Sequence, residues 1–150
     1  MKRLLRFAGL SRADQRICVQ AIVALGLCQA RLRIQNVEQL QSWATRSGHG
    51  QVSVDRLVSA VGRATRLFPR ATCLVRAIAL QHLLSANGHQ SELRIGIERP
   101  NGHFAAHAWL VHGSRIVIGD GVEATEYKVL AAWPTYEQNE SVAIDGICRR

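Results

Sequence analysis

The spacing of apolar residues changes partway along this chain. In the first half it is helical. Ser11 followed by Asp14 forms an S-x-x-D start signal, and Ile17, Ala21, Ala24, Leu25 and Cys28 then recur at helical intervals. A short helix over Val37–Thr45 follows, capped by Asn36, and Ser47 to Gly50 interrupts the pattern. A third helix starts at Ser53, with Val54, Leu57, Val58 and Val61 on one face, and Pro69 is expected to end it. Thr72 is a suitable N-cap for a fourth helix. Its apolar residues are Leu74, Ala77, Ile78, Leu80 and Leu84, and Asn87-Gly88 stops it. Cys73 then falls in the first turn.

The second half alternates. Leu93, Ile95 and Ile97 form one strand, and Pro100-Asn101-Gly102 a turn. Phe104, Ala106, Ala108 and Leu110 alternate with Ala105, His107, Trp109 and Val111 in a second strand. Gly113-Ser114 makes the next turn, Ile116 to Ile118 a third strand, and Tyr127 to Leu130 a fourth. Helices followed by a meander of strands predict an α+β fold, with N-terminal helices and a further helix packed on an antiparallel sheet. The length suits one domain over 1–150: a helical part over 1–68, a core over 69–133 and a C-terminal tail over 134–150.

Hydrophobic residues make up 47% of the chain, enough for a packed core. The net charge is +8 and unevenly spread. Residues 1–76 hold 13 of the 19 basic residues and 3 of the 11 acidic ones, a local excess of +10 against −2 in the rest. All but Lys2 and Lys128 are arginines. Such an excess either attracts acidic partners or marks a solvated helix face. Cys18, Cys28, Cys73 and Cys148 form no C-x-x-C pair and no zinc-ligand spacing, so no metal or other cofactor is expected. Free thiols in an apolar helix point to a reducing cytoplasm. The apolar stretch between Arg16 and Arg31 is shorter than the roughly 20 residues a membrane span needs. It reads as a buried helix or, as an alternative, a weak interfacial one. No clear signal peptide follows the basic Met1-Lys2-Arg3.

The candidate chemistry centres on Cys73. A thiolate is the nucleophilic form of cysteine, and the free N–H groups of a helix start favour an anion. The same groups can hold the oxyanion of a tetrahedral intermediate. A buried, inert cysteine is the alternative. With Gly113-Ser114 as a two-residue hairpin loop, His107 and Asp120 fall directly opposite each other, about 5 Å apart at Cβ. A carboxylate there can fix the imidazole tautomer. A register slip of one residue would instead put Asp120 on the wrong face. His107 on its own could be a core histidine, but Ala105, Ala106 and Ala108 leave room for another element to approach. Trp109 and Ala106 are candidate substrate contacts, and Trp109 also suits core packing. His103 and His107 lie about 13 Å apart on a strand and are no natural metal pair. His49, His82, His89 and His112 read as surface residues.

The run Pro69-Arg70-Ala71-Thr72-Cys73-Leu74-Val75-Arg76-Ala77-Ile78-Ala79-Leu80, with Leu83-Leu84, Gly88, Leu93-Arg94-Ile95-Gly96-Ile97, Phe104-Ala105-Ala106-His107-Ala108-Trp109 and Asp120, resembles the lasso-peptide B-protein family. The resemblance covers about residues 66–122. It implies a transglutaminase-like cysteine protease fold and a leader peptidase acting on a ribosomally made precursor. Cys73 then matches the nucleophile, His107 the histidine and Asp120 the aspartate, with no cofactor. The helical character of residues 1–72 further implies the split form, which relies on a separate leader-recognition protein and hands its product to a macrolactam cyclase. Two other classes stay open. One is a transglutaminase-like acyl transferase. The other is an arginine-rich nucleic-acid-binding module, disfavoured because only Phe7, Trp43 and Phe68 supply aromatics to the basic half.

Overall fold

The computed structural model describes residues 9–98, 105–119 and 128–135. Four helices come first: α1 (Arg12–Arg31), α2 (Val37–Ala44), α3 (Val54–Thr65) and α4 (Cys73–Ala86). Their starts follow the capping residues. The Ser11 hydroxyl accepts the Asp14 N–H, and Asn36 and Gln39 form a reciprocal capping box. One expectation fails at α3. The helix stops at Thr65, before Pro69. Its end tightens into i to i+3 bonds, from Arg66 N–H to Arg63 O, Leu67 N–H to Ala64 O and Phe68 N–H to Thr65 O. The helix has therefore closed before the proline ring can block it.

The four strands are β1 (Glu92–Glu98), β2 (Ala105–His112), β3 (Arg115–Ile118) and β4 (Lys128–Pro134), all paired antiparallel. The fold is α+β, as the period change implies. The meander holds for β1, β2 and β3 only. The sheet order is β3-β2-β1-β4, so the last strand crosses to the far edge of β1. It is also longer than expected, because pairing with β1 continues to Glu92↔Pro134. Pro134 is tolerated there, on an edge strand at its last residue. The predicted turn at Pro100-Asn101-Gly102 and the strand positions of Phe104 and Tyr127 lie outside the described residues.

α4 is the hub. Ala77, Ile78, Leu80 and Leu84 of α4 are fully buried among Leu25 and Cys28 of α1, Leu57 and Val61 of α3, and Leu93 and Leu110 of the sheet. The C-terminal carbonyls of α4 have no helical partner, and the 46–52 loop meets them. Gly48 N–H donates to Ser85 O at 2.9 Å and Gly50 N–H to Ala86 O at 3.1 Å. Any Cβ on Gly48 would lie 2.2 Å from Ala86 O, so the loop can dock this closely only with glycine there. On the sheet side, buried Gln81 of α4 donates from Nε2 to Trp133 O of β4 at 3.0 Å. α4 is thus held by the loop at its C-terminal end and tied to β4 at Gln81. Among the described residues no helix is long and apolar enough to cross a membrane.

Candidate functional site

Cys73 is the first residue of α4. The chain reaches it through a tight turn, in which Ala71 N–H donates to Phe68 O at 2.9 Å and Pro69 takes the second position its ring suits. Thr72 then caps the helix: its Oγ1 accepts the Val75 N–H at 3.4 Å, and its carbonyl accepts the Arg76 N–H at 3.1 Å. A helix start leaves four N–H groups without intrahelical partners. Those of Cys73 and Leu74 therefore flank the thiol, at the positive end of the α4 dipole. Cys73 is half-buried. Cys18 and Cys28 are buried in the core, and burial pushes the Cys28 thiol up to about 12, which keeps it protonated and inert. Cys148 lies outside the described residues.

His107 sits near the start of β2, paired with Gly96 of β1. Residues 87–91 connect α4 to β1, and α4 packs against β2 and β1. Along β2, Ala108 and Leu110 pack into the core with α4, while His107 and Trp109 fall on the alternate positions. Ala106, on the α4-facing set, is exposed.

The hairpin register holds only near its turn. Gly113 adopts φ 59° as a primed turn requires, and His112↔Arg115 and Val111↔Ile116 pair as expected. A bulge then shifts the register, and Leu110 pairs with Ile118. The extra residue, Val117, turns into the core. Simple counting from the turn therefore does not reach Asp120, which lies outside the described residues.

Trp109 is almost fully buried, between two glycines. A Cβ on Gly96 would lie 2.8 Å from its indole, and one on Gly119 would lie 2.6 Å from its Cβ. Gly119 also has φ 134°, a conformation side chains rarely adopt. Trp109 is thus fitted into the sheet beside His107. Gly96, Gly119 and Gln81 carry no signal in the sequence taken alone, apart from Gly119 preceding Asp120.

Three of the other histidines, His82, His89 and His112, bond or stack within the scaffold, and His103 lies outside the described residues. His82 stacks on Trp43 with ring centroids 3.9 Å apart. His89 Nε2 bonds Val52 O at 2.7 Å, and His112 Nδ1 bonds Gln90 O at 2.6 Å. Among the described residues no three His, Cys, Asp or Glu side chains cluster as metal ligands do.

A family model described as the transglutaminase-like superfamily matches residues 16–132. No curated protein and no solved structure matches the chain.

Proposed function

This chain belongs to the transglutaminase-like superfamily, whose members are in general cysteine-dependent enzymes, and from that premise we propose that it is a cysteine peptidase removing the leader from a lasso-peptide precursor. The observation that carries the reading is the seat of Cys73: a half-buried thiol on the first residue of a capped helix, where a helix start favours an anion.

In the proposed reaction His107 accepts the Cys73 thiol proton as the sulfur attacks the carbonyl at the leader–core junction. The oxyanion forms beside the N–H groups of Cys73 and Leu74. As the tetrahedral species collapses, the C–N bond breaks and His107 returns the proton to the departing core amine. Water, deprotonated by His107, then hydrolyses the leader thioester and frees the thiol. Asp120 orients the imidazole and stabilises its charged form. Ala106, exposed on β2, lines the approach, while Trp109, the other expected contact, is buried in the fold and packs rather than binds. No cofactor enters. A separate recognition protein presents the leader, and a macrolactam cyclase consumes the new core amine.

Superfamily membership is equally compatible with transfer of the acyl group to an amine, so the test must separate the two. The protein is incubated with the precursor peptide and an excess of a primary amine, and products are weighed by mass spectrometry. Two fragments whose masses sum to precursor plus water support hydrolysis. A leader fragment carrying the added amine shows an acyl transferase instead.

A further inference from the structure

α1 is apolar on two faces. Its wide inner face, with Ile17, Ala21, Ala24, Leu25 and Cys28, is buried in the core. On the outer face Val19, Val23 and Leu27 recur every four residues and are 51%, 52% and 44% exposed. Ala30 is exposed one turn further on, and Ile34, just past the helix, is 83% exposed. Single exposed apolar residues are ordinary, but a row of them is not. From Val19 to Ala30 the row is about 17 Å long, at about 1.5 Å per residue. Its steps of three and four residues are those of a seam that a second helix covers. Cations bracket it. Arg12 and Arg16 precede it on the same face and Arg33 follows, all exposed. Between Arg12 and Ile34 the one carboxylate is Asp14, already held by the Ser11 hydroxyl and by Arg56 of α3 at 2.8 Å.

We infer that the outer face of α1, from Val19 to Ala30, docks an acidic amphipathic helix of another protein. Apolar side chains at every third and fourth position of that helix would cover Val19, Val23 and Leu27. Carboxylates beside them would meet Arg12, Arg16 and Arg33, for which the face itself supplies no counter-charge. The charges argue against a second copy of the chain. Antiparallel pairing centred on the row sets Arg16 of one molecule near Arg33 of the other, parallel pairing stacks each arginine on itself, and either joins two molecules of net charge +8. A lipid surface fits less well too. An interfacial helix gives its wide apolar face to the membrane, whereas α1 uses that face in the core and leaves a narrow row bordered by Gln20 and Gly26. The seam does not depend on the chemistry at Cys73.

The test uses the full chain and a fluorescein-labelled synthetic peptide of about three heptads, with Leu at a and d and Glu at e and g, read by anisotropy. The glutamates keep the peptide from pairing with itself. It should bind, and Val23→Gln should raise Kd about tenfold while leaving Tm unaltered, because the side chain is exposed in the free protein. Leu27→Gln should act alike, and Arg16→Glu should weaken the same peptide. A peptide of the same composition in scrambled order, which keeps the charge and loses the seam, should bind at least tenfold less tightly. No binding, equal Kd with and without Val23→Gln, or equal binding of the scrambled peptide overturns the docking seam. So does a dimer in sedimentation that Val23→Gln dissociates, which makes a second copy the occupant. Binding to phosphatidylserine vesicles that Val23→Gln abolishes, with no binding of the peptide, overturns it in favour of a lipid surface.

Discussion

The indole of Trp109 lies 2.8 Å from where a Cβ on Gly96 would sit, so the two residues interlock across β1 and β2 beside His107. Gly96 pairs with His107 itself, and any side chain there would push the indole out of its place. The glycine is therefore a packing requirement of the sheet end that carries the candidate base.

Gly96→Ala should destabilise the protein by about 1–3 kcal/mol, the usual range for overpacking. Gly119→Ala should do at least as much, because φ 134° is added to a contact of 2.6 Å. Each kcal/mol should lower Tm by roughly 2–4 °C in calorimetry for a chain of this size. Trp109→Phe in the Gly96→Ala background should recover part of the loss, since it removes the ring that collides. Additive losses in that double variant would show that the collision is not the cause.

Removing the nucleophile should separate chemistry from folding. Cys73→Ala should abolish precursor cleavage, a loss of roughly 10⁶-fold by comparison with hydrolase triads. Its Tm should stay near that of the parent. Asp120→Asn should be milder, roughly 10⁴-fold, because the nucleophile and base both remain. Quenched kinetics on the same precursor measures both, and full activity in Cys73→Ala would remove the central assignment.

The Thr72 cap should matter twice. Thr72→Val removes the acceptor for the Val75 N–H and should cost about 0.5–2 kcal/mol of stability, seen as a lower midpoint in urea. It also loosens the turn that presents Cys73, so cleavage should slow. Thr72→Ser keeps the acceptor and should restore both.

Gln81 is buried and ties α4 to β4 through Trp133 O. Gln81→Leu leaves that carbonyl without its donor and should cost about 1–3 kcal/mol. Hydrogen exchange should quicken at the β4 amides and stay unchanged in α1. Uniform quickening along the chain would instead mean a global loss of stability.

His82 should give folding a pH dependence. Burial against Trp43 holds its imidazole below the ordinary value, and Arg31 and Arg46 add to the shift while the Trp43 carbonyl opposes it. The unfolded chain takes up this proton near pH 6.5, and the folded chain takes it up only at lower pH. Below pH 6.5 the unfolded state therefore binds more protons, and stability falls as pH falls. His82→Phe keeps a ring against Trp43 and should flatten the change in Tm between pH 7.5 and 5.5. An unchanged slope would place the titration elsewhere.

Local signals carried the helices. Ser11, Asn36 and Thr72 each cap where their side chains can reach a free N–H, and Asn87-Gly88 closes α4 with Gly88 at φ 76°. These are interactions over a few residues, so a linear reading finds them, and with them the place of Cys73 on the first turn. The alternation of β1 and β2 was legible for the same reason. The path of β4 was not. Whether a strand joins β3 or crosses to β1 depends on which edge buries more surface, and Gln81 and Trp133 meet only once the chain has folded. The bulge at Leu110/Val111 was hidden too, because it arises from the fit of β3 against the core rather than from any residue near the turn. The sequence by itself determined which elements form and which carries the thiol. Tertiary packing decided their order in the sheet, the register beyond the turn and the glycines that let Trp109 lie beside His107, because those depend on contacts between residues far apart in the chain.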